Sequence, residues 1–397
     1  MQINLATQCS QLVAPTVPGA TILHISTAEV HNFSFPEVAI FGSPPVSDLD
    51  FCNINISLRH IGADDTVYIN VWLPLKDWNG RYQATGGGGL AAGMGELMLA
   101  GQVANGTDEE QHCRTQSGLW ALADDGSLDE TLQLNFAWRS IHDMSVTSKD
   151  IIKQFYGTKP HYSYWNGCSQ GGRQGYAAAA KYPHEFDGIL ATAPAIDFTE
   201  MIPSDFYPPI VMRNSEIPPE CIFPEYQRAI IAACDALDGV EDGLISDHES
   251  FNKCSFNPDT LVRRTITCGK GCTEPDKMLE WKKVSCRTSS ELVITSTHAD
   301  IIRKILAGPH TTDGKRLWYG LAPGAEFDAL ARVIPLGNGT HEVAPFEVAE
   351  SYLKYIVMQD ATYDMATMTF EDYGSIPAVL VTARSALGEP GTRLERV

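Results

Sequence analysis

Residues 164–183, YWNGCSQGGRQGYAAAAKYP, constrain the fold of this 397-residue chain more than any other stretch. A short strand-like run leads into Ser169, set between Gly167 and Gly171, and an alanine-rich helical run follows. A serine in G-x-S-x-G between a strand and a helix matches the nucleophile elbow. There a strained turn lifts the hydroxyl clear of a sheet, and small residues on both sides let strand and helix approach. The backbone N–H of the next residue, Gln170, then points at a developing oxyanion from the helix N-terminus. The plainer alternative is a glycine-rich strand-to-helix turn without chemistry.

The flanking sequence favours a parallel α/β sheet. DDTVYINVWLPL reads as a strand and KDWNGR as a turn. Residues 144–158, centred on SVTSKDIIKQFYG, read as a helix that starts at a Ser/Thr cap and ends on Gly157. FDGILATAPA reads as a buried strand closed by proline. Strand, helix, strand, sharp turn, helix, strand is the rhythm of an α/β domain. From about residue 198 prolines and cysteines become frequent, which predicts an inserted domain held by disulfides. The expected organisation is a core over 1–197, an insert over 198–345 and a return to the core over 346–397.

Two further motifs carry chemistry. GGGG at 86–89 follows a strand, where a glycine-rich loop can supply a second oxyanion donor. Gly88 is the first choice and Gly87 and Gly89 are close alternatives; a surface loop is the bland reading. No G-K-[ST] accompanies it, so a phosphate cradle fits poorly. CDALDGVEDGLISD places Asp235, Asp238 and Asp242 three and four apart, with glycines that permit tight turns. Such a loop suits calcium, which takes six to eight hard oxygen ligands; a solvated acidic turn is the equal alternative. Cys234 and Cys254 flank it, and a bridge between them would fix its shape.

Composition excludes some partners. The net charge is −20, from 29 basic and 49 acidic residues, with no basic cluster for a nucleic acid. No run of about 18 apolar residues predicts a membrane span, and MQINLATQCSQL lacks the basic and apolar regions of a signal peptide. Ten cysteines and four N-x-S/T acceptors, at Asn32, Asn55, Asn105 and Asn338, nevertheless favour secretion through an oxidising compartment.

AWRSIHDMSVTSK (137–149), the segment 164–198, ACDALDGVEDGLISD (233–247) and RLWYGLAPGAEF (316–327) together resemble the tannase and feruloyl esterase family. The resemblance implies an α/β-hydrolase fold with a large inserted lid. It implies a serine carboxylic-ester hydrolase acting on small phenolic-acid esters of gallate or hydroxycinnamate type. Ser169 would be the nucleophile, and Cys168 would bridge to a cysteine just after the catalytic histidine. Asp235, Asp238 and Asp242 would hold lid calcium by side chains, and Val240 and Leu244 by carbonyls.

The same resemblance places an acid and a histidine after FEDYGS (370–375). The chain there reads IPAVLVTARSALGEPGTRLERV, and no His-Cys pair follows Ser169. The expectation is therefore a core whose C-terminal strands are missing, with Cys168 unpaired, through a truncated or misread coding sequence. A calcium-stabilised binding protein without activity is the alternative. Without a general base, a serine hydroxyl stays protonated and weakly nucleophilic.

Overall fold

A computed structural model describes residues 8–37, 44–104, 108–112, 117–247, 252–268, 290–311, 313–336 and 340–376. The chain divides into two compact units, one built mainly from residues 1–198 and the other mainly from 199–353. Among the described residues after 353, 354–361 belong to the first unit and 362–376 to the second.

The first unit is built on a seven-stranded sheet. Its strands are β1 (Ala20–Phe35), β2 (Val46–His60), β3 (Val67–Pro74), β4 (Arg81–Thr85), β5 (Asp108–His112), β6 (Tyr162–Cys168) and β7 (Gly188–Thr192). Their order is β1-β2-β3-β5-β4-β6-β7, antiparallel from β1 to β5 and parallel from β5 to β7. Alternation explains the buried face: Ile54, Ile56 and Leu58 of β2 and Val67, Ile69 and Val71 of β3 point into one core. A disulfide from Cys9 to Cys52 ties the N-terminal turn to β2.

Helix α1 (Glu96–Ala104) follows β4. Then α2 (Glu130–Leu134), a π-helical turn (Asn135–Arg139) and α3 (Ser140–Tyr156) run on without a break. The expected Ser/Thr cap near residue 145 is therefore corrected. Ser145, Thr147 and Ser148 are buried inside α3, and Asp129 caps α2 by accepting from Leu132 N–H. Ser148 Oγ donates to Met144 O inside the helix. The expected stop is where the sequence placed it, with Gly157 left-handed at φ 71°. Ile141, Met144, Ile151, Ile152 and Phe155 form the buried stripe of α3.

A second correction concerns β7. It was expected to be buried, yet Leu190 is 59% exposed and its neighbours are half-buried or exposed. β7 is the sheet's edge among the described residues, so its apolar residues have a strand on one side only.

The second unit contains α5 (Phe198–Asp205), α6 (Tyr207–Arg213), α7 (Ile222–Cys234) and α8 (Ser296–Ala307), with two small two-stranded sheets. Its core gathers Tyr226, Ile230, Ile301, Ile302, Ile305 and Phe327. Disulfides join Cys221 to Cys268 and Cys234 to Cys254, as a disulfide-held insert requires. No helix among the described residues is long and apolar enough to cross a membrane. Of the glycosylation acceptors, Asn32 and Asn55 lie exposed on β1 and β2; Asn105 and Asn338 lie outside the described residues.

Candidate active site

β6 ends at Cys168, and Gln170 begins α4 (Gln170–Lys181), so one residue makes the whole turn. Ser169 is exposed and held at φ 59°, ψ −116°, which costs a non-glycine residue on the order of 1–3 kcal/mol. Backbone bonds enforce it. Ser169 N–H donates to Thr192 O at 3.1 Å, and Ser169 O accepts from Arg173 N–H and Ala195 N–H, both at 3.0 Å. The glycines at the turn are needed for contact: a Cβ on Gly167 would lie 2.4 Å from Gly171 O, and one on Gly172, just past the motif, 2.5 Å from Thr192 O.

Gln170 is fully buried, and its N–H belongs to the first helical turn, where donors lack intrahelical acceptors. The glycine loop packs directly on this turn, with Gly171 N–H donating to Gly87 O at 3.0 Å. Gly87 N–H is consumed by Gln174 Oε1 at 2.9 Å, which removes Gly87 as a free donor. Gly88 pairs with Ala91 in a tight bridge, and Gln174 Nε2 closes the loop by donating to Ala92 O at 3.1 Å. Gln174 therefore staples both ends of this loop. Sequence reasoning missed it, although it stands one turn beyond the serine in the quoted motif. Beyond Leu90 the loop borders a cavity of about 1150 Å³, lined also by Asn53, Asn70, Trp72, Trp120 and Phe136.

Among the described residues Cys168 is a free, exposed thiol; Cys113, Cys272 and Cys286 lie outside the described residues. Several described histidines are engaged elsewhere. His60 bonds Asp65 and Asp143, and His142 bonds Glu185, whose contact holds the imidazole pKa above its usual value. His298 completes the capping box of α8, and His310 bonds Gly308 O. The segment expected to replace the acid and histidine of a triad, from residue 377 on, lies outside the described residues.

In the second unit, Asp235 and Asp238 bound a single 3₁₀ turn, and the Cys234–Cys254 bridge closes the loop. Gly239 and Gly243 are left-handed at φ 96° and 86°, the turns expected of them. The carboxylates accept backbone N–H groups: Asp235 from Gly243, Asp238 from Val240 and Ser246, Asp242 from Leu244, at 2.9–3.2 Å. Val240 and Leu244 are exposed. The donor chemistry fits calcium, but among the described residues no three acidic, histidine or cysteine side chains converge as a metal cluster.

A family model described as tannase and feruloyl esterase matches residues 54–378. A probable feruloyl esterase from Arthroderma benhamiae is 39% identical over 382 residues, covering 94% of this chain and 66% of the relative. A probable feruloyl esterase B-2 from Aspergillus flavus is 28% identical, covering 82% of this chain and 56% of its own. The chain thus spans between about half and two thirds of these curated relatives. Among solved structures, a tannin acyl hydrolase from Aspergillus niger superposes with TM-score 0.75 at 23% identity, over 94% of this chain and 66% of that one. Feruloyl esterase B from Aspergillus oryzae gives 0.67 at 21%, over 94% and 68%. At these identities the structural likeness establishes the fold, an α/β hydrolase.

Proposed function

Because the chain belongs to the tannase and feruloyl esterase family, we propose that it is a secreted carboxylic-ester hydrolase cleaving phenolic-acid esters of gallate or hydroxycinnamate type through an acyl-serine. One observation carries the proposal: Ser169 stands exposed in a strained strand-to-helix turn with a glycine loop packed against it. Its Oγ attacks the ester carbonyl carbon, the ester C–O bond breaks, and the alcohol leaves with a proton. Water then releases the acid and regenerates the hydroxyl. The N–H groups of Gln170 and Gly88 are the proposed donors to the oxyanion, a contribution of about 3–4 kcal/mol per donor in serine hydrolases.

Ser169→Ala should abolish hydrolysis of methyl gallate, methyl ferulate and p-nitrophenyl acetate. Equal rates for variant and parent would remove Ser169 from the mechanism. A second reading, a binding protein without catalysis, draws on the engagement of His60, His142 and His310 elsewhere. It is favoured if the parent binds these esters and leaves all three intact.

Calcium is proposed for the acidic loop, held by Asp235, Asp238 and Asp242 with the carbonyls of Val240 and Leu244. The ion would neutralise three carboxylates confined within eight residues and so rigidify the loop. At a hundredfold excess over Kd it adds about 2.7 kcal/mol to the stability of whatever it binds. Proteolytic nicking between residues 235 and 254 should therefore accelerate with chelator. Asp238→Ala should nick fast in either condition. Identical rates for the parent with calcium and with chelator would leave an acidic turn held by its disulfide.

A further inference from the structure

The guanidinium of Arg173, one turn after Ser169, is held on every edge of its fork. Nε donates to Gln170 Oε1 at 2.7 Å, Nη1 to Ala137 O at 3.0 Å and Nη2 to Phe136 O at 2.9 Å. The Phe136 and Phe198 rings lie 5.1 and 5.8 Å from its centre, within cation–π range. Both carbonyl acceptors belong to the π-helical turn Asn135–Arg139. A π turn disrupts the regular i to i+4 ladder and makes carbonyls available to outside donors. The turn is itself anchored, since Asn135 Nδ2 donates to Asp65 at 2.7 Å and Arg139 Nε to Asn135 Oδ1 at 2.7 Å.

We infer that Arg173 is a positioning residue for ester hydrolysis, clamping the Gln170 side chain to the fixed π turn so that the Gln170 N–H stays aimed over Ser169. The inference rests on the Ser169 reading given above. It follows from how few freedoms the turn retains. Ser169 is fixed through its own N–H and carbonyl, so the peptide joining it to Gln170 can swing only if the first turn of α4 shifts. Arg173 blocks that shift from the helix side, because a planar fork bonded at three points tolerates neither rotation nor translation. A lysine keeps the charge and loses the fork, so it cannot serve Gln170 and both carbonyls in the same geometry. Arg173 acts through Gln170 and touches no reacting atom.

The test compares parent, Arg173→Lys, Gln170→Met and Ser169→Ala by two readouts. Amide hydrogen exchange reads the clamp: both clamp variants should raise exchange at residues 169–173 about tenfold or more, the scale of one lost charge-assisted hydrogen bond. Exchange within α3 should stay at the parental rate. Phenylboronic acid reads the consequence. Its boron adds to Ser169 Oγ, forming one B–O bond and a tetrahedral anion and releasing the hydroxyl proton, so binding depends on oxyanion donors without turnover. Parent should bind saturably, Ser169→Ala should not bind, and Arg173→Lys should bind about tenfold more weakly or worse. Unchanged exchange in both clamp variants overturns the inference whatever the boronate does. Raised exchange with parental boronate affinity overturns the link to the oxyanion. A parent that fails to bind boronate sinks the Ser169 reading, and with it the role in ester hydrolysis, while exchange still decides whether the clamp exists.

Discussion

Asp65→Ala should destabilise the first unit by about 3–5 kcal/mol, the cost of removing one partner from a buried charge network. Asp65 is 2% exposed and accepts His60 Nδ1 at 2.6 Å, His60 N–H at 3.0 Å and Asn135 Nδ2 at 2.7 Å, with Arg139 Nη2 at 3.4 Å. His60 Nε2 in turn bonds Asp143 at 3.1 Å. Removing the carboxylate leaves an imidazole, an amide and a guanidinium competing for fewer acceptors out of water. Burial pushes the Asp65 carboxyl up, but the Asn135 and His60 hydrogen bonds outweigh it and hold the group below its ordinary 3.8. A depressed carboxylate stabilises the fold fully above its unfolded value, and the contribution disappears as pH falls through the folded one. The parent's stability should therefore drop on acidification below about pH 4 more steeply than that of Asp65→Asn. Asp143 has the opposite sign: burial raises it, so its share falls as pH rises above 3.8. Urea midpoints across pH 3 to 7 measure both effects. A loss under about 1 kcal/mol for Asp65→Ala would mean that the network rearranges around water instead of depending on this carboxylate.

The network shows where sequence reading stopped. The elbow was legible because its requirements are local: a strand, a tight turn with glycines on both sides, and a helix, all within twenty residues. The Cys234–Cys254 bridge was legible for the same reason, since both cysteines bracket one short loop. His60, Asp65, Asn135 and Asp143 come from β2, the loop after it, the π turn and α3. No periodicity announces that four polar residues so far apart in sequence meet in one buried site. The start of α3 misled for a physical reason. Ser145 and Thr147 have cap chemistry, but burial lets the same small side chains serve in a helix interior, and only tertiary packing distinguishes the two uses. β7 misled in the other direction, because an apolar strand reads as central whether or not a neighbour covers it. Arg173 and Gln174 were in plain view beside Ser169, yet their roles depend on the carbonyls of residues 136–137 and 92, which composition cannot place.

Gly86→Ala should prise the glycine loop away from the elbow. A Cβ at Gly86 would sit 2.2 Å from Gly171 Cα and 2.9 Å from Gln174 Oε1, with Trp165 Cζ2 3.0 Å away. The nearest obstacle is backbone, so no side-chain rotation relieves the clash, and the two segments must separate by about 1 Å to restore ordinary contact. Gly86 N–H also donates to Asn166 O at 3.2 Å, which extends the β4–β6 pairing and limits how far the loop can retreat. Overpacking of this kind costs about 1–3 kcal/mol, and the strain adds to the loss of the Gly171 N–H to Gly87 O bond. If Ser169 is the nucleophile, a 1 Å displacement of an oxyanion donor should lower kcat/KM by about a hundredfold with little change in KM. Gly101→Ala is the matching control. Its Cβ meets nothing within 4 Å, and its place inside α1 favours alanine by about 1 kcal/mol. Gly86→Ala should thus unfold at lower urea than the parent, and Gly101→Ala at the same or higher. Should the two variants unfold together with the parent, the loop would have room that the 2.2 Å contact denies. The glycine at 86 would then be a matter of chain flexibility and not of close approach between glycine loop and elbow.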